Sequence, residues 1–208
     1  MKQIVCLLAL CVTALLSVYL VTESQKKSGV IEVIKTRRSI RAYKDTPVER
    51  EKLQTLAECG VWAPNAMGKQ NWEVRIVDSK EWIDECTATY LKAIEGTGKA
   101  DYMLTPTFKN IFRNGAAVIF VGAPDGLFAG EDVGCLGQNI MLAATELGLG
   151  TCFLGSVQMI FAEPAMAKYV ESLGFSEGYK LRYALAVGYP DEAPEAKPRD
   201  MSKIKFVE

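Results

Sequence analysis

The 208-residue sequence contains no histidine. Without imidazole a single chain builds no His-ligated zinc site, no Ser–His–Asp triad and no Cys–His couple. Its six cysteines, Cys6, Cys11, Cys59, Cys86, Cys135 and Cys152, include no CxxC pair, and the first two fall in an apolar leader. Neither a metal knuckle nor a disulfide framework follows, and the other four read as buried thiols. Also missing are a P-loop and a Gly-x-Gly-x-x-Gly turn between a strand and a helix, which argues against a nicotinamide Rossmann domain. Nor is charge of one sign in excess. The net charge of -1 gives no global case for binding nucleic acid or an anionic membrane surface, so any positive site is local.

What is present describes an ordinary folded protein: 49% hydrophobic and 24% charged, in a chain long enough for one substantial core. Residues 1–27 stand apart. Lys2 precedes an uncharged, mostly apolar run over residues 4–21, and residues 23–27 then turn polar. As a helix that run spans about 27 Å, slightly under a hydrocarbon core of about 30 Å. It reads as a signal peptide or a membrane anchor, with Leu8-Ala9-Leu10-Cys11 a faint lipidation signal. An apolar helix packed on the domain is the alternative. The expectation is an exported or membrane-anchored protein whose domain comprises residues 28–208.

Along that domain, Val30, Ile31, Val33 and Ile34 suggest a short amphipathic helix ending at a basic cluster. Thr46-Pro47-Val48-Glu49 predicts a capping box, with the helix running to about Cys59 and stopped by Gly60. Residues 63–71 read as a loop, 73–77 as a strand, and Ser79 as the cap of a helix to about Ile94. Residues 96–110 read as an excursion or lid. A buried strand over 116–122 precedes a helix over 132–147, a short strand over 151–154, a helix over 163–173 and a strand over 181–187. The tail, 191–208, reads as an arm across a partner. Strands and helices interleave irregularly, so α+β, a sheet covered by helices, fits better than a doubly wound fold.

The chemistry concentrates in Lys35, Arg37, Arg38, Arg41 and Lys44, five cations within ten residues. With Ser39 and backbone N–H groups they suit a phosphate, because arginine offers a fixed donor fork. A solvated helix end explains the same residues, and so does a nucleic-acid patch, although the last lacks a broad footprint and nearby stacking aromatics. The loop from Pro64 to Gln70 brings short polar side chains to a planar ligand or is simply a surface loop. Gly148-Leu149-Gly150 with Gly155-Ser156 lets backbone approach a flat ring, or only stops a helix. Lys197 and Arg199 are ligands or solvated charges, and Trp62, Trp72 and Trp82 read as packing residues.

Taken in order, Arg37-Arg38-Ser39-Ile40-Arg41-Ala42-Tyr43, Ala63-Pro64-Asn65, Gln70-Asn71-Trp72, Gly148-Leu149-Gly150-Thr151-Cys152 with Gly155, Gly188-Tyr189-Pro190 and Lys197-Pro198-Arg199 resemble the FMN-dependent nitroreductase family. The resemblance runs from about Val30 to the C-terminus. It implies a central, mainly antiparallel sheet flanked by helices, in an intertwined homodimer with FMN at the interface. Arg37, Arg38, Ser39 and Arg41 would hold phosphate and ribityl groups, with Lys197 or Arg199 completing the phosphate site from the tail. Pro64, Asn65 and Ala66 would line the ring, the Gly68 backbone and Gln70 would add polar contacts, and Gly155 would offer backbone near the isoalloxazine. The sequence departs from the family where Asn65, Gly68 and Asn71 stand for its frequent Ser, Asn and Pro. The activity implied is ping-pong transfer from NAD(P)H to a nitroaromatic, quinone or activated alkene, with no catalytic side chain. Lys69, Tyr102 and Phe108 are candidate pocket-lining residues. A flavin protein used for storage, electron relay or a specialised dehydrogenation is the alternative.

Overall fold

A computed structural model describes residues 29–99 and 106–208. Its centre is four strands, β1 (Glu73–Val77), β2 (Ala117–Ala123), β3 (Gly150–Leu154) and β4 (Lys180–Gly188), ordered β1-β2-β4-β3. Every pairing is antiparallel. Strand β2 is buried along its whole length because both faces of the sheet are covered. Val118 and Phe120 enter one core with Ile83, Tyr90, Phe112 and Phe161. Ala117, Ile119 and Val121 enter the other with Leu53, Leu56, Leu136 and Ile140. This alternation is why an uninterrupted apolar run forms a strand here. Each fully buried large side chain, such as Phe112 or Leu136, contributes about 1.5–3 kcal/mol. The expected α+β architecture is present.

Among the described residues six helices supply the layers: α1 (Val30–Thr36), α2 (Arg50–Val61), α3 (Lys80–Ala93), α4 (Ala129–Glu146), α5 (Val157–Phe161) and α6 (Ala167–Ser172). Helices α2 and α4 pack on one face of the sheet, and α3, α5 and α6 on the other. Ser79 caps α3 as expected, its hydroxyl accepting the Trp82 N–H at 3.1 Å.

Several local expectations change. Helix α2 starts at Arg50 without a side-chain cap. The Glu49 carboxylate accepts from the Tyr189 hydroxyl and pairs with Lys52, so it does not close a box with Thr46. Gly60 does not stop that helix. It lies inside it, against Ile140 of α4, where a Cβ would meet the isoleucine Cγ1 at 2.8 Å. In α1 only Val33 is buried, and Val30, Ile31 and Ile34 face solvent. Helix α5 was not expected, and the helix expected over 163–173 divides into a 3-10 turn (Pro164–Met166) and α6. Trp72 is buried and Trp82 packs edge-on against Tyr169 and Phe120, but Trp62 is 85% exposed.

Of the expected excursion, residues 100–105 lie outside the described residues, and Tyr102 with them. Its end does not behave as a lid: Phe108 packs against the core, and Asn110 is buried. The Asn110 carboxamide accepts from the Phe112 and Asn114 N–H groups and donates to the Gly115 carbonyl.

The expected location is corrected. Among the described residues no helix is long and apolar enough to cross a membrane, and the exported or membrane-anchored placement is withdrawn. Residues 4–21, on which it rested, lie outside the described residues.

Candidate functional site

The basic cluster is built into the sheet edge. After α1 ends, Ser39 bridges Thr151 in parallel fashion and the Ile40 N–H donates to the Thr151 carbonyl at 2.9 Å. Three residues on, Tyr43 bridges Pro190, and the Lys44 N–H donates to the Tyr189 carbonyl at 2.9 Å. Residues 39–44 are thus stitched between β3 and the exit of β4. The glycine motifs make this fit. A Cβ on Gly150 would meet the Ile40 Cβ at 2.9 Å, and one on Gly188 would meet the Tyr43 ring at 2.7 Å. These glycines admit the basic segment rather than a flat ring. Gly148 is the helix stop of the plainer reading, at φ +71 with nothing near its Cβ. The Tyr43 hydroxyl, buried among these residues, donates to the Ile40 carbonyl at 2.7 Å, and burial pushes its pKa up.

The arginines divide by what they touch. Arg38 is spent on the chain, donating to the Lys35 and Arg37 carbonyls at 2.7 and 2.9 Å as a cap for α1. Arg41 donates to the Ser39 carbonyl at 3.2 Å. The half-buried Arg37 guanidinium has no hydrogen-bond partner among the described residues. Its burial, then the like charges of Arg38 and Arg199, hold it below the usual arginine value. Arg199 therefore approaches the cluster from its own chain, while donating to the Lys197 carbonyl at 2.8 Å. Beside Ser39, the Thr151 hydroxyl is buried without a partner. An orphaned hydroxyl and an unpaired half-buried guanidinium at one strand end fit an oxyanion ligand.

Two residues at this corner were missed from sequence. The Glu192 carboxylate accepts from the backbone N–H groups of Arg41 and Ala42 and holds that stretch in place. Arg113, in a loop with positive φ at Arg113 and Asn114, adds a cation whose charge, like that of Arg41, acts on the Cys152 thiol. Burial is the larger influence there and pushes the thiol pKa up. Neither residue belongs to a local pattern. Glu192 reaches the site through long-range hydrogen bonds, and Arg113 through the loop that brings its charge near Cys152.

Gly155 follows β3 on the same edge, with nothing within 4 Å of the position its Cβ would take. From Thr151 to Gly155 the strand rises roughly 13 Å. The loop of Pro64, Asn65, Ala66, Gly68 and Gln70 lies elsewhere. It enters β1, the opposite edge of the sheet, at the end where Glu73 faces Gly122. Thr151 is level with Val187 and Ala117, at the other end of the strands. The two groups are separated by roughly 17 Å along the strands and roughly 14 Å across them.

That loop is held firmly. The Ala66 N–H donates to the buried carboxylate of Asp132, in the first turn of α4, at 2.8 Å. The Asn65 carboxamide oxygen accepts from the Gln70 N–H at 2.8 Å, which leaves Met67 and Gln70 with positive φ. Asp132 is a third residue that sequence reading passed over, because it reads as an ordinary helix-start acid.

A two-sided sheet with a corner that suits an oxyanion on one edge and an ordered polar loop at the other has the form of an α+β ligand-binding protein. The comparisons narrow this class. The profile described as Nitroreductase family matches residues 34–189, and the chain belongs to that family. It is similar to the nitroreductase with bound FMN from Bacteroides fragilis NCTC 9343 (26% identity, TM-score 0.76, 87% of this chain and 100% of that one). It is equally similar in fold to the nitroreductase with bound FMN from Desulfitobacterium hafniense DCB-2 (29% identity, TM-score 0.76, 86% and 98%). Among curated proteins, the FMN reductase [NAD(P)H] of Bacillus subtilis (strain 168) is 30% identical over 189 residues, 82% of this chain and 69% of its own length.

Proposed function

We propose that residues 28–208 form an FMN-dependent oxidoreductase that passes reducing equivalents from NAD(P)H to a small acceptor, a nitroaromatic, quinone or activated alkene. The observation that carries this reading is the half-buried, unpaired Arg37 beside Ser39 and the orphaned Thr151 hydroxyl, with Gly155 open farther along the same edge. The phosphate would sit at Arg37, Ser39 and Arg41, with Arg199 and Lys197 closing over it. The ribityl chain would follow β3 to the backbone at Gly155. Bound FMN would supply the two-electron exchange. The task of the protein is to orient donor and acceptor in turn and to keep water from the reacting face.

The ring loop leads into β1, the opposite edge strand, roughly 14 Å across the sheet from the Gly155 end of β3 and too far to line a ring held there. Two copies resolve this: each supplies the clamp to one FMN and Pro64, Asn65, Ala66, Gly68 and Gln70 to the other. Large apolar side chains left in water support such a homodimer, among them Val30, Ile31, Trp62 and, in the tail, Ile204, Phe206 and Val207. The purified protein should therefore carry the visible flavin band and sediment as a dimer. In anaerobic stopped flow, NADH or NADPH should bleach that band, and menadione or a nitroarene should restore it. A protein that takes up FMN but performs neither half-reaction would favour storage or relay instead.

A further inference from the structure

Beside the ring loop is a cavity of about 350 Å³ between that loop and the connection from β2 to α4. Apolar side chains stand exposed at its lips. Met67 is 75% exposed on one lip, and Leu127 (86%) and Phe128 (46%) stand on the other. Two acids line it, and both are occupied. Asp125 pairs with Lys180 and Arg182, and Asp132 is buried and accepts the Ala66 N–H. Lys69 is the lining cation, and among the described residues its ammonium has neither an ion pair nor a hydrogen bond. A space of this size, with apolar lips, a buried carboxylate tied to backbone and one cation free of any ion pair, has the composition of a small-molecule subsite.

We propose that this cavity is the acceptor subsite and that Lys69 selects flat aromatic acceptors bearing an anionic substituent, such as nitrobenzoates and quinone sulfonates. The proposal rests on the oxidoreductase reading above, because the loop that forms one wall is the one assigned to the ring. Phe128, Leu127 and Met67 flank the aromatic body, and Lys69 meets the carboxylate or sulfonate at the rim. For a nitro acceptor, each turnover moves the hydride of NAD(P)H and one solvent proton to the nitro group. The group leaves as nitroso plus water, and the donor leaves as NAD(P)+. Lys69 takes no part in that exchange. It orients the acceptor through charge, and salt weakens the effect.

Calorimetric titration of the FMN-loaded protein with 4-nitrobenzoate and its neutral analogue 4-nitrobenzamide tests this. At low salt the anion should bind about fivefold tighter, the upper end of what a solvent-accessible ion pair delivers. The ratio should fall to about one in Lys69→Gln and invert in Lys69→Glu, whereas Phe128→Ala should weaken both ligands together. KM values for the two acceptors should follow the same order. An unchanged preference in Lys69→Gln, or no binding of either compound, overturns the proposal. The same unmodified preparation is mixed with NAD(P)H. Failure of the flavin to bleach would sink the oxidoreductase reading, whereas bleaching with a Lys69-independent ratio would sink only the subsite.

Discussion

Two adjacent arginines at the clamp make opposite predictions. Arg38 spends its guanidinium on the carbonyls that end α1, and Arg37 leaves its own unpaired and half-buried. Arg37→Ala should weaken FMN binding by roughly ten- to a hundredfold, the value of one charge-assisted hydrogen bond. Arg38→Ala should chiefly fray α1, lowering thermal stability while changing FMN affinity much less. Flavin fluorescence titration beside thermal denaturation separates the two, and equal losses of affinity would remove the distinction. From the sequence both residues read alike. What divides them is the position of the last turn of α1, which fixes which side chain folds back on the helix and which is left for a ligand.

At the scale of elements, the strands were legible because their apolar runs need no partner to be recognised. β1 falls on the residues expected, and β2 and β4 within a residue of each end. Ser79 was legible because its cap is a local bond. What failed was non-local: Glu49 was taken by Tyr189 some 140 residues away, and Gly60 serves close packing on Ile140 inside the helix rather than its end. The glycine motifs are instructive in the same way. Their presence was readable, but their use was not, since Gly150 and Gly188 make room for Ile40 and Tyr43 rather than for a cofactor. Gly150→Ala should therefore act twice. Its new methyl meets the Ile40 Cβ, a branch point that cannot swing aside, so overpacking should cost about 1–3 kcal/mol. The displaced segment carries Ser39 and Arg41, so FMN affinity should fall with stability. Gly155→Ala meets nothing in the chain and should leave the free protein's melting temperature unchanged; a drop there as large as for Gly150→Ala would refute the packing account.

For the whole molecule, the absence of histidine shapes the response to pH. Carboxylates held below their ordinary range by hydrogen-bonded partners, Asp78 by Arg50, Asp125 by Lys180 then Arg182, and Asp45 by Lys109, stabilise the fold above their unfolded pKa of about 4. That contribution is lost as pH falls through the lower folded values. On the alkaline side burial pushes the Cys86 thiol up from 9.0 to about 12. Its contribution is complete below pH 9 and lost as pH rises toward 12. Without histidine the sequence has no side-chain type whose ordinary pKa lies between about 5 and 7, so the melting temperature of the free chain should stay flat across that range. FMN changes this. A phosphate monoester has its second pKa near 6, and the dianion is the better partner for Arg37 and Arg41, so affinity should rise as pH climbs through about 6 and level off above 7. Riboflavin, which lacks the phosphate, should show no such rise. Fluorescence titrations of both ligands across that range decide the matter: parallel profiles would mean that the arginine corner does not hold the phosphate.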